Sequence, residues 1–132
     1  MKKGIVAGII IVLLVIGGGT YMFTGGASDE KRAEIDTFAQ CLTKENTTMY
    51  GAFWCPKCAA TKKRFGESFR YIAYVECDPR GENEQSELCL SKGIDKYDTW
   101  EFADSSRVVG EPTFALLGEK TGCPIPGANS GP

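Results

Sequence analysis

The sequence contains no histidine. That absence bears first on Cys55 and Cys58, which lie three positions apart. A Cys-x-x-Cys can be half of a zinc site, whose other half is a second close pair of Cys or His. With no histidine, and with eleven residues between Cys77 and Cys89, no second half is in view. Neither a metal nor a cofactor is therefore expected. Charge is also missing over a long stretch: none occurs between Lys3 and Asp29. Beyond that stretch an excess of positive charge is lacking. Setting aside Lys2 and Lys3, 13 basic residues face 17 acidic ones, a net of −4. That balance argues against nucleic-acid binding. There is no internal repeat.

The uncharged stretch sets the expected compartment. Gly4 to Phe23 is 20 residues. At roughly 1.5 Å per residue a helix of that length matches the hydrocarbon core of a bilayer. Residues 1–28 are thus expected to form a membrane anchor in contact with lipid through residues 4–23. Lys2 and Lys3 should stay in the cytoplasm, and the rest should face the periplasm or the extracellular side. A cleaved signal peptide is the alternative, since Gly25-Gly26-Ala27 supplies small residues. Both readings put the domain where disulfides persist.

What is present is centred on Phe53-Trp54-Cys55-Pro56-Lys57-Cys58. An apolar run precedes it and a helical pattern follows. Cys55 would stand at a helix start, where unpaired N–H groups and the helix dipole favour an anion. Cysteines so placed have pKa values of roughly 3.5–7.5. Pro56 suits a first helical turn. Cys58 falls one turn on, on the same face. The pair reads as a dithiol that closes to a disulfide and reopens. Lys57 offers a cation for the Cys55 thiolate, or is simply a solvated lysine. Trp54 would flank the reactive sulfur as an apolar wall. The basic run Lys62-Lys63-Arg64 reads as a solvated helix face.

Four cysteines remain, Cys41, Cys77, Cys89 and Cys123, and they allow three connectivities. Cys77–Cys89 would close a turn-rich loop and stabilise by roughly 3 kcal/mol. Cys41–Cys123 would then tie the first helix of the domain to its C-terminal end. A second redox pair at Cys77 and Cys89 stays open as an alternative.

Patterning predicts helices over 29–42, 56–65, 86–92 and 112–121, and strands over 48–53, 71–77, 99–102 and 107–109. Ser86 is the expected cap of the third helix. One domain is expected over 29–123, with 124–132 a frayed tail.

With the dithiol between the first strand and its helix, that order resembles the thioredoxin-like fold, a central mixed β-sheet flanked by helices. The segment Met49 to Cys58, then Phe65-Gly66, Phe69, Tyr71 to Cys77 and Thr99-Trp100-Glu101 look like one branch of that superfamily. It is the small thioredoxin-like domain fused to, or encoded beside, bacterial and plant-type vitamin K epoxide reductase homologues. The resemblance covers roughly residues 31–123. It implies an extracytoplasmic thiol–disulfide oxidoreductase, with secreted cysteine-containing proteins as substrates. It implies a membrane quinone reductase of the vitamin K epoxide reductase type as electron acceptor. Cys55 matches the family's nucleophile and Cys58 its resolving cysteine. Cys77 and Cys89 match a pair that the family keeps near the second strand.

Two positions depart from that pattern. The superfamily places a cis-proline opposite the dithiol, and this chain has Asp98 there, in Tyr97-Asp98-Thr99. A cis bond before a non-proline residue costs about 2.5–4 kcal/mol, so Tyr97–Asp98 is expected to be trans. A carboxylate at that place would raise the thiol pKa values and oppose Lys57. Met49 stands where many thioredoxins bury an acid that moves the resolving thiol's proton. Another carboxylate or water would have to supply that function. These departures also admit a degenerate module that binds a partner without turnover.

Overall fold

A computed structural model describes residues 28–128. The expected membrane span and the last four residues of the tail lie outside the described residues. Among the described residues no helix is long and apolar enough to cross a membrane. The chain divides into two compact units, Met1–Ala33 and Glu34–Pro132. Of the first, residues 28–33 are helical and exposed. The second unit carries both cysteine pairs and the dithiol.

The second unit begins in helix α1, helical to residue 44. Ile35, Phe38, Ala39 and Leu42 follow helical spacing, and the last three are fully buried. The turn that ends α1 places Asn46 at φ 56°, a conformation asparagine tolerates. Strand β1, Thr48–Gly51, follows. Its side chains alternate between faces: Met49 joins the core under α1, and Tyr50 joins a second cluster with Val75, Cys77, Cys89 and Ile94.

Helix α2, Pro56–Phe65, and a 3-10 helix, Gly66–Tyr71, lead to β2, Ala73–Glu76. β1 and β2 pair in parallel, Thr48 opposite Ala73 and Gly51 opposite Glu76. Parallel neighbours need such a crossover. Helix α3, Ser86–Ser91, precedes β3, Thr99–Glu101, and β4, Arg107–Val109. β3 runs antiparallel to β1, with Tyr50 opposite Thr99, and β4 antiparallel to β3. The sheet order is β2-β1-β3-β4. Helix α4, Phe114–Thr121, closes the unit. Gly122 ends it at φ 76°, where a side chain would be strained.

This mixed α/β architecture, four strands in a mixed sheet with flanking helices, is compatible with the expected thioredoxin-like fold. Its main core is aromatic. Phe65 stands 4.8 Å from Phe114 and 6.2 Å from Trp100 between ring centroids, and Phe38 stands 5.2 Å from Phe114. These rings come from α1, α2, β3 and α4, so the core holds the helix of the dithiol against the sheet.

Several expectations need correction. β1 stops at Gly51 rather than Phe53, because Cys55 N–H turns back to the Ala52 carbonyl at 3.0 Å. Tyr71 belongs to the 3-10 helix, and β2 begins at Ala73. The N-cap position of α3 falls on Gln85, whose side chain makes no capping bond, and Ser86 is the first helical residue. α4 starts at Phe114 because Thr113 is its cap, its hydroxyl accepting from Leu116 N–H at 3.1 Å. The described part of the tail is tied down: Gly127 N–H donates to Glu34 Oε2 at 2.9 Å.

Candidate functional site

Cys55 is the N-cap residue of α2, and its sulfur accepts the backbone N–H of Cys58 at 3.2 Å. The cap sulfur therefore takes one of the donors that a helix start leaves unpaired. Pro56 occupies the first turn, where its missing N–H costs nothing. Both thiols are free and nearly inaccessible: Cys55 is 4 % exposed and Cys58 1 %.

The two sulfurs have different surroundings. Burial first, and then the hydrogen bond with Cys55, push the Cys58 thiol up to about 12. The backbone at Ala52 acts the other way, while the charges of Cys55 and Asp98 add to the rise. Cys58 therefore holds its proton at neutral pH. Gly51 makes room for its sulfur: a Cβ there would stand 2.9 Å from Cys58 Sγ and 3.0 Å from the Tyr74 ring.

Phe53 and Trp54 form the exposed rim beside the cap. Phe53 is 56 % and Trp54 53 % exposed. Trp54 does not swing freely. Its indole N–H donates to Asp78 Oδ2 at 2.6 Å, and its ring meets Tyr97 edge-on at 6.0 Å. Hydrogen bonds from Arg80 and Trp54 hold the Asp78 carboxyl well below the usual range. Lys57 is exposed. The basic run is less solvated than expected. Lys62 Nζ sits 4.0 Å over the Tyr74 ring, and Arg64 pairs with Glu111 and the Pro112 carbonyl. Lys62 and Arg64 thus find an aromatic face and acceptors beside α2, while Lys63 is exposed as expected.

The peptide Tyr97–Asp98 is cis, against the expectation of trans. That expectation weighed the local preference of one peptide alone. In the fold Asp98 is 0 % exposed. Its Oδ2 accepts from the Thr61 hydroxyl at 2.8 Å and from Trp100 Nε1 at 3.3 Å. Its carbonyl accepts from Gly110 N–H at 2.8 Å. Of these partners, Thr61 and Gly110 come from distant segments. Met49 is fully buried in the core, as far from supplying a proton acceptor as its side chain suggests.

The other four cysteines are bonded. Cys77 joins Cys89 with S–S 2.01 Å, and Cys41 joins Cys123 with S–S 2.08 Å. Cys77 also ties its strand to the dithiol's strand, its N–H donating to the Gly51 carbonyl at 2.8 Å. Among the described residues no three Cys, Asp or Glu side chains gather as metal ligands.

Sequence reasoning missed four residues here. Gly51 lines the Cys58 sulfur, Thr61 holds Asp98, Asp78 holds Trp54, and the Tyr74 hydroxyl donates to Glu76 Oε2 at 2.8 Å. Thr61 carried a signal, since it lies three residues after Cys58 and so on the same helix face. The others depend on chain pairings that no local pattern encodes.

The arrangement is a buried pair of thiols at a helix start, one an acceptor of backbone N–H and one held neutral. Disulfide exchange uses such an asymmetry, because one sulfur must attack and the other must wait. No family model matches the chain. Over 95 residues the chain is 36% identical to thiol-disulfide oxidoreductase LTO1 of Arabidopsis thaliana. The match covers 69% of this chain and 25% of that protein, so the chain spans about a quarter of the length of this relative. The functional class that this likeness supports, at a coarse level, is a thiol-disulfide oxidoreductase.

Proposed function

We propose that the protein exchanges disulfides through its Cys-Pro-Lys-Cys dithiol, with Cys55 as nucleophile and Cys58 as resolving cysteine. The observation that carries this reading is the N-cap position of Cys55, its sulfur facing the Cys58 N–H. The Cys55 thiolate attacks one sulfur of a substrate disulfide and a mixed disulfide forms. Cys58 then attacks Cys55, and the second substrate thiolate leaves. Run in reverse, a closed Cys55–Cys58 bond accepts two electrons from substrate thiols. Trp54, Pro56 and Lys57 shape the rim and the start of the helix, and Asp98 backs the pair. Cys41–Cys123 and Cys77–Cys89 serve as structural staples.

The setting we propose is extracytoplasmic. Residues 4–23 anchor the chain in the cytoplasmic membrane, and secreted cysteine-containing proteins are its substrates. A membrane quinone reductase of the vitamin K epoxide reductase type takes up the electrons. The support is the uncharged N-terminal stretch, the disulfide-rich scaffold and the sequence resemblance.

Reduction of a disulfide-bonded peptide by the full chain tests the reading. The expected result is an active wild type, with Cys55→Ser and Cys58→Ser each inactive in turnover. An inert wild type with a normal fold would overturn it in favour of a module that only binds. The redox potential of Cys55–Cys58 gives the direction: about −120 mV marks an oxidant and about −270 mV a reductant.

A further inference from the structure

Resolution of the mixed disulfide requires Cys58 to lose a proton, yet its thiol is 1 % exposed. Bulk water has little access to it. The groups around it narrow the choice of acceptor. On its own helix stands Cys55, which is consumed in the mixed disulfide at this stage. From β2 comes Tyr74, whose hydroxyl already donates to Glu76 and whose ring lies under Lys62. Burial, then that hydrogen bond, drive the Tyr74 phenol far above its ordinary range, so it is no base. From the segment before β3 come Tyr97, also raised by burial, and Asp98.

Asp98 differs from the rest. It is a fully buried carboxylate, and no protein group donates a hydrogen bond to its Oδ1. The Thr61 hydroxyl and Trp100 Nε1 occupy Oδ2 alone. Thr61 is three residues after Cys58 on α2, which puts their Cβ atoms about 5–6 Å apart. The carboxylate held by Thr61 therefore sits on the side of α2 that carries Cys58, and its charge acts on that thiol. A buried carboxylate oxygen without a partner is costly for stability alone, and a role in proton transfer accounts for it.

We propose that Asp98 is the proton acceptor for Cys58, from a position in the fold where the resembled family carries proline. The proposal rests on the dithiol reading above. The Cys58 S–H proton passes to the Asp98 carboxylate. The Cys58 thiolate attacks Cys55 Sγ, the Cys55–Cys58 bond forms, and the Cys55–substrate bond breaks. The substrate leaves as a thiolate and is reduced by two electrons while the dithiol is oxidised. Asp98 then releases its proton to the leaving thiolate or to solvent. In the reverse direction the protonated carboxyl returns the proton to Cys58 as it leaves.

The test uses the reduced full chain and an aromatic nitrobenzoate disulfide that releases a coloured thiolate at each step. Attack by Cys55 gives the first release, and resolution by Cys58 the second. The coloured thiolate leaves without needing a proton, so the second phase reports Cys58 ionisation. In Asp98→Asn the ratio of the second rate to the first should fall about a hundredfold near neutral pH. The deficit should shrink as hydroxide takes over in alkali, and Asp98→Glu should restore most of the ratio. An unchanged ratio, a deficit that ignores pH, or a Glu variant no better than Asn would overturn the proposal. If Asp98→Asn does not fold, Thr61→Val keeps the carboxylate and removes its hydroxyl donor. It should move the pH profile of the second phase relative to the first, and an unmoved profile would overturn the proposal. A wild type that releases no second equivalent would sink the dithiol reading and this proposal with it.

Discussion

Cys58 shows at the scale of a residue how the fold changes chemistry. In an unfolded chain its thiol titrates near 8.5. Burial and the neighbouring Cys55 raise it to about 12 in the folded protein. Between those values the folded state keeps a proton that the unfolded state has lost. Stability must therefore fall as pH rises through that window. The contribution is complete below about 8.5 and disappears as pH approaches 12. The urea midpoint of the dithiol form should drop more steeply with alkaline pH than that of Cys58→Ser. Parallel slopes for the two proteins would show that the raised thiol does not contribute. The reactive pair itself was legible in the sequence, because Cys-x-x-Cys with an internal proline is a local pattern. The environment of Cys58 was not, since Gly51, Tyr74 and Asp98 reach it through strand pairing.

Helix capping governs behaviour at the scale of an element. α2 is capped by the very sulfur proposed to react, so the helix start and the dithiol are one structure. α4 is capped conventionally by Thr113. Thr113→Ala should cost about 1 kcal/mol, while Thr113→Ser should retain most of it. Denaturant midpoints of the two variants measure the difference. Most elements were legible because their apolar residues recur with helical or strand spacing, as Ile35, Phe38, Ala39 and Leu42 do. The 3-10 helix from Gly66 to Tyr71 was missed. Gly66 reads locally as a stop, but Phe69 packs on Phe65 and Tyr74, and Ser68 and Tyr71 bond to Asp36 and Thr43 of α1, beyond it. In the basic run on α2 the solvated reading holds for Lys63 but not for Lys62 and Arg64, because Tyr74 and Glu111 come to them from other segments.

The two disulfides act at the scale of the whole molecule. Cys41–Cys123 closes a separation of 82 residues and Cys77–Cys89 one of 12. Loop entropy makes the longer closure worth roughly 4.5 kcal/mol and the shorter roughly 3 kcal/mol. The double variant Cys41→Ser, Cys123→Ser should lose about the larger amount in urea unfolding, with both phases of dithiol exchange retained. A loss well below that of a Cys77→Ser, Cys89→Ser variant would contradict the ordering. The sequence by itself determined the order of strands and α-helices, the dithiol at a helix start and the lack of histidine for metal or base chemistry. Those properties follow from spacing and composition, which are local. Only the tertiary structure decided the cis geometry at Asp98, the burial of its carboxylate against Thr61 and the upward shift of the Cys58 thiol. Each depends on groups distant in the chain, brought together when β3 pairs with β1 and α2 packs on the sheet.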